Sequence, residues 1–162
     1  MQWSKLKSRI EESFADSIQG RIQIFTTAYR RQDGMSRSWI VIDGEQVVSL
    51  TDEASWRELG AYFHELTPTD CLQHEAISEE DRCNNTIYER GEFSSYDFKI
   101  MAFESLNLSA QDCVNSEHPL LRALGVLNKK TGKTKVKALQ RDKHSMVAYL
   151  AKFRAEAEAA NK

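Results

Sequence analysis

Ser38-Trp39-Ile40-Val41-Ile42-Asp43-Gly44-Glu45-Gln46-Val47-Val48-Ser49-Leu50 is the stretch that decides the fold class. Two runs rich in β-branched residues flank an Asp-Gly pair. A type I′ turn needs positive φ at both central residues, and Asp-Gly tolerates it at both. Residues 38–42 and 46–50 therefore read as an antiparallel hairpin. Just upstream, Arg21-Ile22-Gln23-Ile24-Phe25-Thr26-Thr27-Ala28-Tyr29 alternates in the same way. A polar connection with its own Asp33-Gly34 turn signal joins it to the hairpin. The three runs predict an antiparallel meander.

Helical patterns surround this sheet. Before it, Trp3, Leu6, Ile10, Phe14 and Ile18 recur at helical spacing, and Gly20 is placed to end the helix. After it, Thr51 reads as an N-cap with Asp52 and Glu53 behind it. Trp56, Leu59, Phe63 and Leu66 then mark one helical face, and Pro68 stops it. Residues 67–91 read as an acidic mobile loop centred on Glu79-Glu80-Asp81, with a short structured piece around Thr86-Ile87-Tyr88. A helix begins at Ser94, with Phe98, Met101, Ala102 and Ser105 on one face and Phe103 and Leu106 widening it. Residues 107–118 form a connector with one helical turn.

Residues 119–162 read as a basic helical segment. Pro119 suits a first turn, and Leu120, Leu121, Leu124 and Leu127 make a stripe. Thr131-Gly132 breaks it, a short helix carries Val136 and Leu139, and a last helix over 145–159 buries Met146, Tyr149, Leu150 and Phe153. Trp3, Trp39 and Trp56 are all expected in the core. Strands and helices are segregated along the chain, which predicts an α+β fold. Residues 1–162 are expected to form one domain, with the mostly helical C-terminal half packed on the sheet.

Composition fits this reading. The chain has 162 residues, 41% hydrophobic and 28% charged, as expected for a globular domain. No apolar run reaches the roughly 20 residues needed to span a bilayer, and residues 1–14 lack the apolar run of a signal peptide. Three cysteines, Cys71, Cys83 and Cys113, cannot all pair, which suits reduced thiols. A cytoplasmic location is expected.

Charge is divided along the chain. Residues 1–118 carry 11 basic and 21 acidic side chains, and residues 119–162 carry 11 basic and 3 acidic. The balances are −10 and +8. Most of the positive excess falls on Lys129, Lys130, Lys133, Lys135, Lys137, Arg141 and Lys143, against the single acid Asp142. Such a cluster attracts phosphates or acidic protein surfaces. It holds no aromatic to stack a base, which counts against single-strand binding. It equally fits an internal match with the acidic body, and that reading is preferred.

Other motifs carry less. Gly132-Lys133-Thr134 is not a phosphate loop: six residues rather than four separate it from the preceding glycine, Gly125, and a leucine-striped helix precedes it instead of a strand. Cys71, His74 and Cys83 lack paired knuckles, and a fourth zinc ligand would have to be distant, such as His64, Cys113 or His118. They read as incidental. Glu79, Glu80, Asp81, Glu89, Glu92 and Asp97 read as solvated charge, and Arg30, Arg31 and Arg37 as a solvated loop. No Gly-x-Ser-x-Gly elbow occurs. No catalytic residue, metal site or cofactor is assigned.

The segments WSKLKSRIEESFADSIQGRIQIFTTAYR, SRSWIVIDGEQV, GEFSSYDF with LNLS, and HPLLRALGVLNKKTGKTKVKAL together resemble a bacterial family of cytoplasmic proteins. The resemblance covers most of the chain except residues 51–90. It implies a single bacterial domain and brings no activity with it. Family members tend to carry arginine where this chain has Lys129, Lys130 and Thr134. Lysine is a point donor where arginine offers a fork, so bidentate anion recognition does not carry over. The function expected is a non-catalytic protein-binding module of immunity or adaptor type. The alternatives are a nucleic-acid-associated protein using residues 128–143, and an enzyme whose site is assembled from scattered residues.

Overall fold

A computed structural model of the chain describes residues 2–28, 36–52 and 93–160. Asp43 and Gly44 take φ of 51° and 89°, the paired positive values of a type I′ turn. They join β2 (Ser36–Ile42) to β3 (Glu45–Thr51), and β1 (Ile22–Ala28) pairs with the other edge of β2. The sheet is an antiparallel meander in the order β1-β2-β3. Ile22 faces Ile42 and Ile24 faces Ile40 across β1 and β2, and Ile40 faces Val48 across β2 and β3. Beyond Ile40 the register shifts, so that Val41 pairs with Gln46 and Val47 is the extra residue of a bulge. The Arg21 guanidinium donates to both carboxylate oxygens of Asp43, at 2.9 and 2.6 Å, and closes the turn against the start of β1.

The register decides which side chains are buried. Alternation sends Ile22, Ile24, Ile40, Ile42, Val48 and Leu50 to one face, all buried. Trp39 points the other way. It stacks on Phe25 at 5.3 Å, with the Arg37 guanidinium over its ring. The core position expected for Trp39 is thus corrected: β2 carries bulky apolar residues on both faces, and the pleat admits only one set. Trp3 is half-buried against Phe98, with ring centroids 6.0 Å apart.

On the buried face lie α1 (Trp3–Glu12) and α2 (Ser95–Ser105). α1 buries Leu6 and Ile10 but stops at Glu12, short of the expected end at Gly20. The Ser13 hydroxyl donates to Ile10 O, and residues 13–15 leave the helix to pair with residues 127–129. A 3-10 turn, Asp16–Ile18, follows, and Gly20 takes φ of 76° at the bend into β1. α2 starts in a capping box: Ser94 Oγ accepts from Asp97 N, and Asp97 accepts from Ser94 N. It buries Phe98 and Ala102, whereas Phe103, expected to widen the buried face, is exposed.

Next come α3 (Ala110–Asn115), capped by Ser109, and α4 (Pro119–Leu127), with Pro119 in its first turn. Residues 120–127 of α4 are all buried, because α2, α3 and α6 surround it. α3 and α4 approach so closely that a Cβ on Gly125 would lie 2.8 Å from Cys113 Cβ. α5 (Lys133–Leu139) and α6 (Ser145–Ala160) complete the order. α6 buries Met146 and Leu150 as expected. Tyr149 is exposed instead, and Phe153 is half-buried beneath the Arg21 guanidinium. One continuous core links sheet and helices. Burying each of its large aliphatic side chains contributes about 1.5–3 kcal/mol.

Several expected features lie outside the described residues. They are the Asp33-Gly34 turn, the helix with Trp56, Leu59, Phe63 and Leu66, the acidic loop over 67–91, and Cys71, His74 and Cys83.

Candidate functional site

The basic segment is built on two buried arginines. At its start, Arg154 of α6 is 2% exposed. It donates to Val126 O, Asn128 O and Thr131 O at 2.5, 2.7 and 2.7 Å, and to Glu158 at 2.9 Å. Thr131, itself buried, donates its hydroxyl to Gly125 O. These bonds fold the chain from α4 into the turn before α5. At the far end, Arg122 of α4 holds Asp142 through two bonds of 2.8 and 2.9 Å and donates to Ser116 O and Glu117 O. Between the two anchors, Val136 and Leu139 seat α5 on the core.

Asp142 is therefore spent inward. Burial pushes its carboxyl up, but hydrogen bonds from Arg122 and the His144 N–H, with the charges of both residues, outweigh this and hold it below the usual carboxylate value. The one acid within the basic run is no counter-ion for its surface.

The seven candidate cations consequently face outward. Lys129, Lys130, Lys133, Lys137, Arg141 and Lys143 are exposed, and Lys135 is half-buried. Lys129 Nζ donates to Glu12 O at 3.0 Å, and Lys135 Nζ to Asn115 Oδ1 at 2.7 Å. None of the seven forms an ion pair among the described residues. The preferred sequence reading, an internal match to the acidic body, finds no ion pair to support it there.

Two adjoining grooves run beside this stripe. The larger, about 590 Å³, lies between the 3-10 turn, the 129–133 turn and α6, with Asp16, Lys129 and Arg154 among its walls. The smaller, about 220 Å³, separates α5 from α6 and is lined by Lys137, Val136, Ala155 and Ala159. Lys133 and Glu158 border both.

A second polar cluster escaped sequence reasoning. Asp52 accepts from the Ser36 N–H and hydroxyl and from the Ser95 N–H, at 2.7–2.9 Å. Lys99 Nζ reaches Ser36 Oγ at 3.0 Å, and Ser38 Oγ meets Ser95 Oγ at 2.8 Å. Serine, lysine and carboxylate in contact suggest nucleophile chemistry. Here each Asp52 oxygen is engaged by the ends of β2 or α2, and neither groove above reaches the cluster. The arrangement fastens α2 across the sheet.

Tyr96, Ile100 and Phe103 form an exposed apolar stripe on α2 at helical spacing, 65%, 40% and 48% exposed. No cluster of three or more His, Cys, Asp or Glu side chains able to hold a metal occurs among the described residues. No similar curated protein and no similar solved structure was found. The family model of the SF0329 protein family matches residues 2–155.

Proposed function

We propose that this chain, which belongs to the SF0329 protein family, is a non-catalytic binding protein of the bacterial cytoplasm that docks an acidic surface of a partner protein. The observation that carries this reading is the exposed basic stripe whose one internal acid is already taken by Arg122. Charge held on a fixed backbone, and without a counter-ion among the described residues, steers association and selects a partner of opposite sign. The exposed Tyr96, Ile100 and Phe103 stripe supports a protein partner, since contiguous apolar surface marks protein contacts more than nucleic-acid ones. An immunity or adaptor role, in which the chain masks or bridges another protein, fits these two surfaces. Among the described residues no helix is long and apolar enough to cross a membrane.

The test is affinity capture from bacterial lysate with the wild-type chain and a Lys130→Glu/Lys137→Glu/Lys143→Glu variant, all three positions exposed. The expected result is one acidic protein in stoichiometric amount, lost in the variant and lost as salt rises from ~50 mM to ~0.3 M. Identical captures by both proteins overturn the reading. Capture of RNA or DNA in place of protein transfers the stripe to a nucleic-acid role.

A further inference from the structure

The two grooves beside the stripe differ in chemistry from the stripe itself. Each has cationic groups on one wall and a carboxylate or small apolar groups on another. We infer that together they seat an extended peptide segment in which acidic residues alternate with small apolar ones. This rests on the protein-binding reading above and narrows it to a place and a pattern.

Spacing carries the argument. Lys133 and Lys137 lie one turn apart on α5, about 6 Å along the axis at 1.5 Å per residue. Side chains at i and i+2 of an extended chain are about 6.6 Å apart on one side. Two carboxylates so placed meet the two ammonium groups in step. The intervening side chain points the other way, toward Ala155 and Ala159 of α6, whose small methyl groups suit a small apolar side chain. Lys129 extends the cationic wall into the larger groove.

Glu158 supplies what a peptide needs and a nucleic acid does not. It is held by Arg154, its side chain 16% exposed, and it borders both grooves. Its carboxylate can accept a peptide N–H. No aromatic side chain lines either groove to stack a base.

The experiment is fluorescence anisotropy of the full chain with four labelled probes. They are a ten-residue alternating Glu-Ala peptide, a block isomer with all Glu followed by all Ala, a Lys-Ala peptide, and a ten-nucleotide single strand. The alternating peptide is expected to bind at least about fivefold more tightly than its block isomer, and the Lys-Ala peptide not at all. Ala159→Trp fills the smaller groove from an exposed position and leaves every charge in place. It is expected to weaken the alternating peptide about tenfold or more, as is Lys133→Gln. Equal binding of the two isomers, wild-type affinity in Ala159→Trp, tighter binding of the oligonucleotide, or no peptide binding overturns the inference. Partner capture that still depends on Lys130, Lys137 and Lys143 then leaves the docking role standing without the groove.

Discussion

Replacing Arg154 by Met keeps most of the side-chain volume and removes the guanidinium that organises the start of the basic segment. Four acceptors lose their donor: Val126 O, Asn128 O, Thr131 O and Glu158. A hydrogen bond to a charged donor is worth about 1.5–3 kcal/mol, but such terms do not add. Glu158 keeps some exposure and can turn to water, Thr131 lines an open groove, and Asn128 is only half-buried. Val126 is fully buried and keeps the full penalty. The net loss is about 3–5 kcal/mol, the range for removing one partner of a buried charged network. With a urea slope of ~2 kcal/mol per M, the unfolding midpoint falls by roughly 1.5–2.5 M at unchanged slope. Glu158→Gln, which leaves the three carbonyl bonds intact, costs about 1 kcal/mol or less. A midpoint within ~0.5 M of wild type for Arg154→Met would refute the view that this arginine holds the turn.

Gly125→Ala places a methyl 2.8 Å from Cys113 Cβ and 2.9 Å from Val114 N, atoms of the α3 backbone and its root that cannot step aside. Thermal and urea unfolding should show a loss of about 1–3 kcal/mol. Gly132→Ser, at an open N-cap, should be neutral or gain a few tenths of a kcal/mol. Asp142 titrates below its ordinary value in the folded state, so its contribution to stability is complete at neutral pH. That contribution declines once the pH falls through the unfolded value of about 3.9 and is lost below the folded one. Asp142→Asn should lower neutral-pH stability by about 1.5–3 kcal/mol and flatten the acid limb of a stability–pH profile. An unchanged acid limb would remove Asp142 as its source. Burial, with the nearby charges of Asp112 and Glu104, pushes the Cys113 thiol up. Peptide mapping after iodoacetamide treatment should find Cys113 alkylated at least about tenfold more slowly in the native chain than in urea.

The hairpin was legible because Asp43-Gly44 carries its own backbone geometry, and the α4 stripe because Leu120, Leu121, Leu124 and Leu127 recur at helical spacing. The facing of Trp39 was not legible. Phe25, Trp39 and Val41 offer as apolar a face as Ile24, Ile40 and Ile42, and only the helices above the sheet choose between them. The cations of the stripe could be read directly from the sequence. That Asp142 is no counter-ion for them could not, because it depends on Arg122 lying against Asp142 across 20 residues. A signal was present: Arg122 and Arg154 both fall on apolar stripes, where a cation must find buried acceptors. The polar fastening around Asp52 left no trace in the sequence, since its members come from three separated segments.

The pairing of residues 13–15 with 127–129 has a consequence for biosynthesis. Lys129 meets the carbonyl of Glu12 across 117 residues. At roughly 5–20 residues per second, a ribosome needs about 6–23 s to supply the second partner after the first. Throughout that interval Phe14, fully buried at the end, has no neighbours from α4 or α6 to cover it. The early helix and hairpin must wait for the late helices, and the core cannot close until Arg154 has been made and can lock the turn.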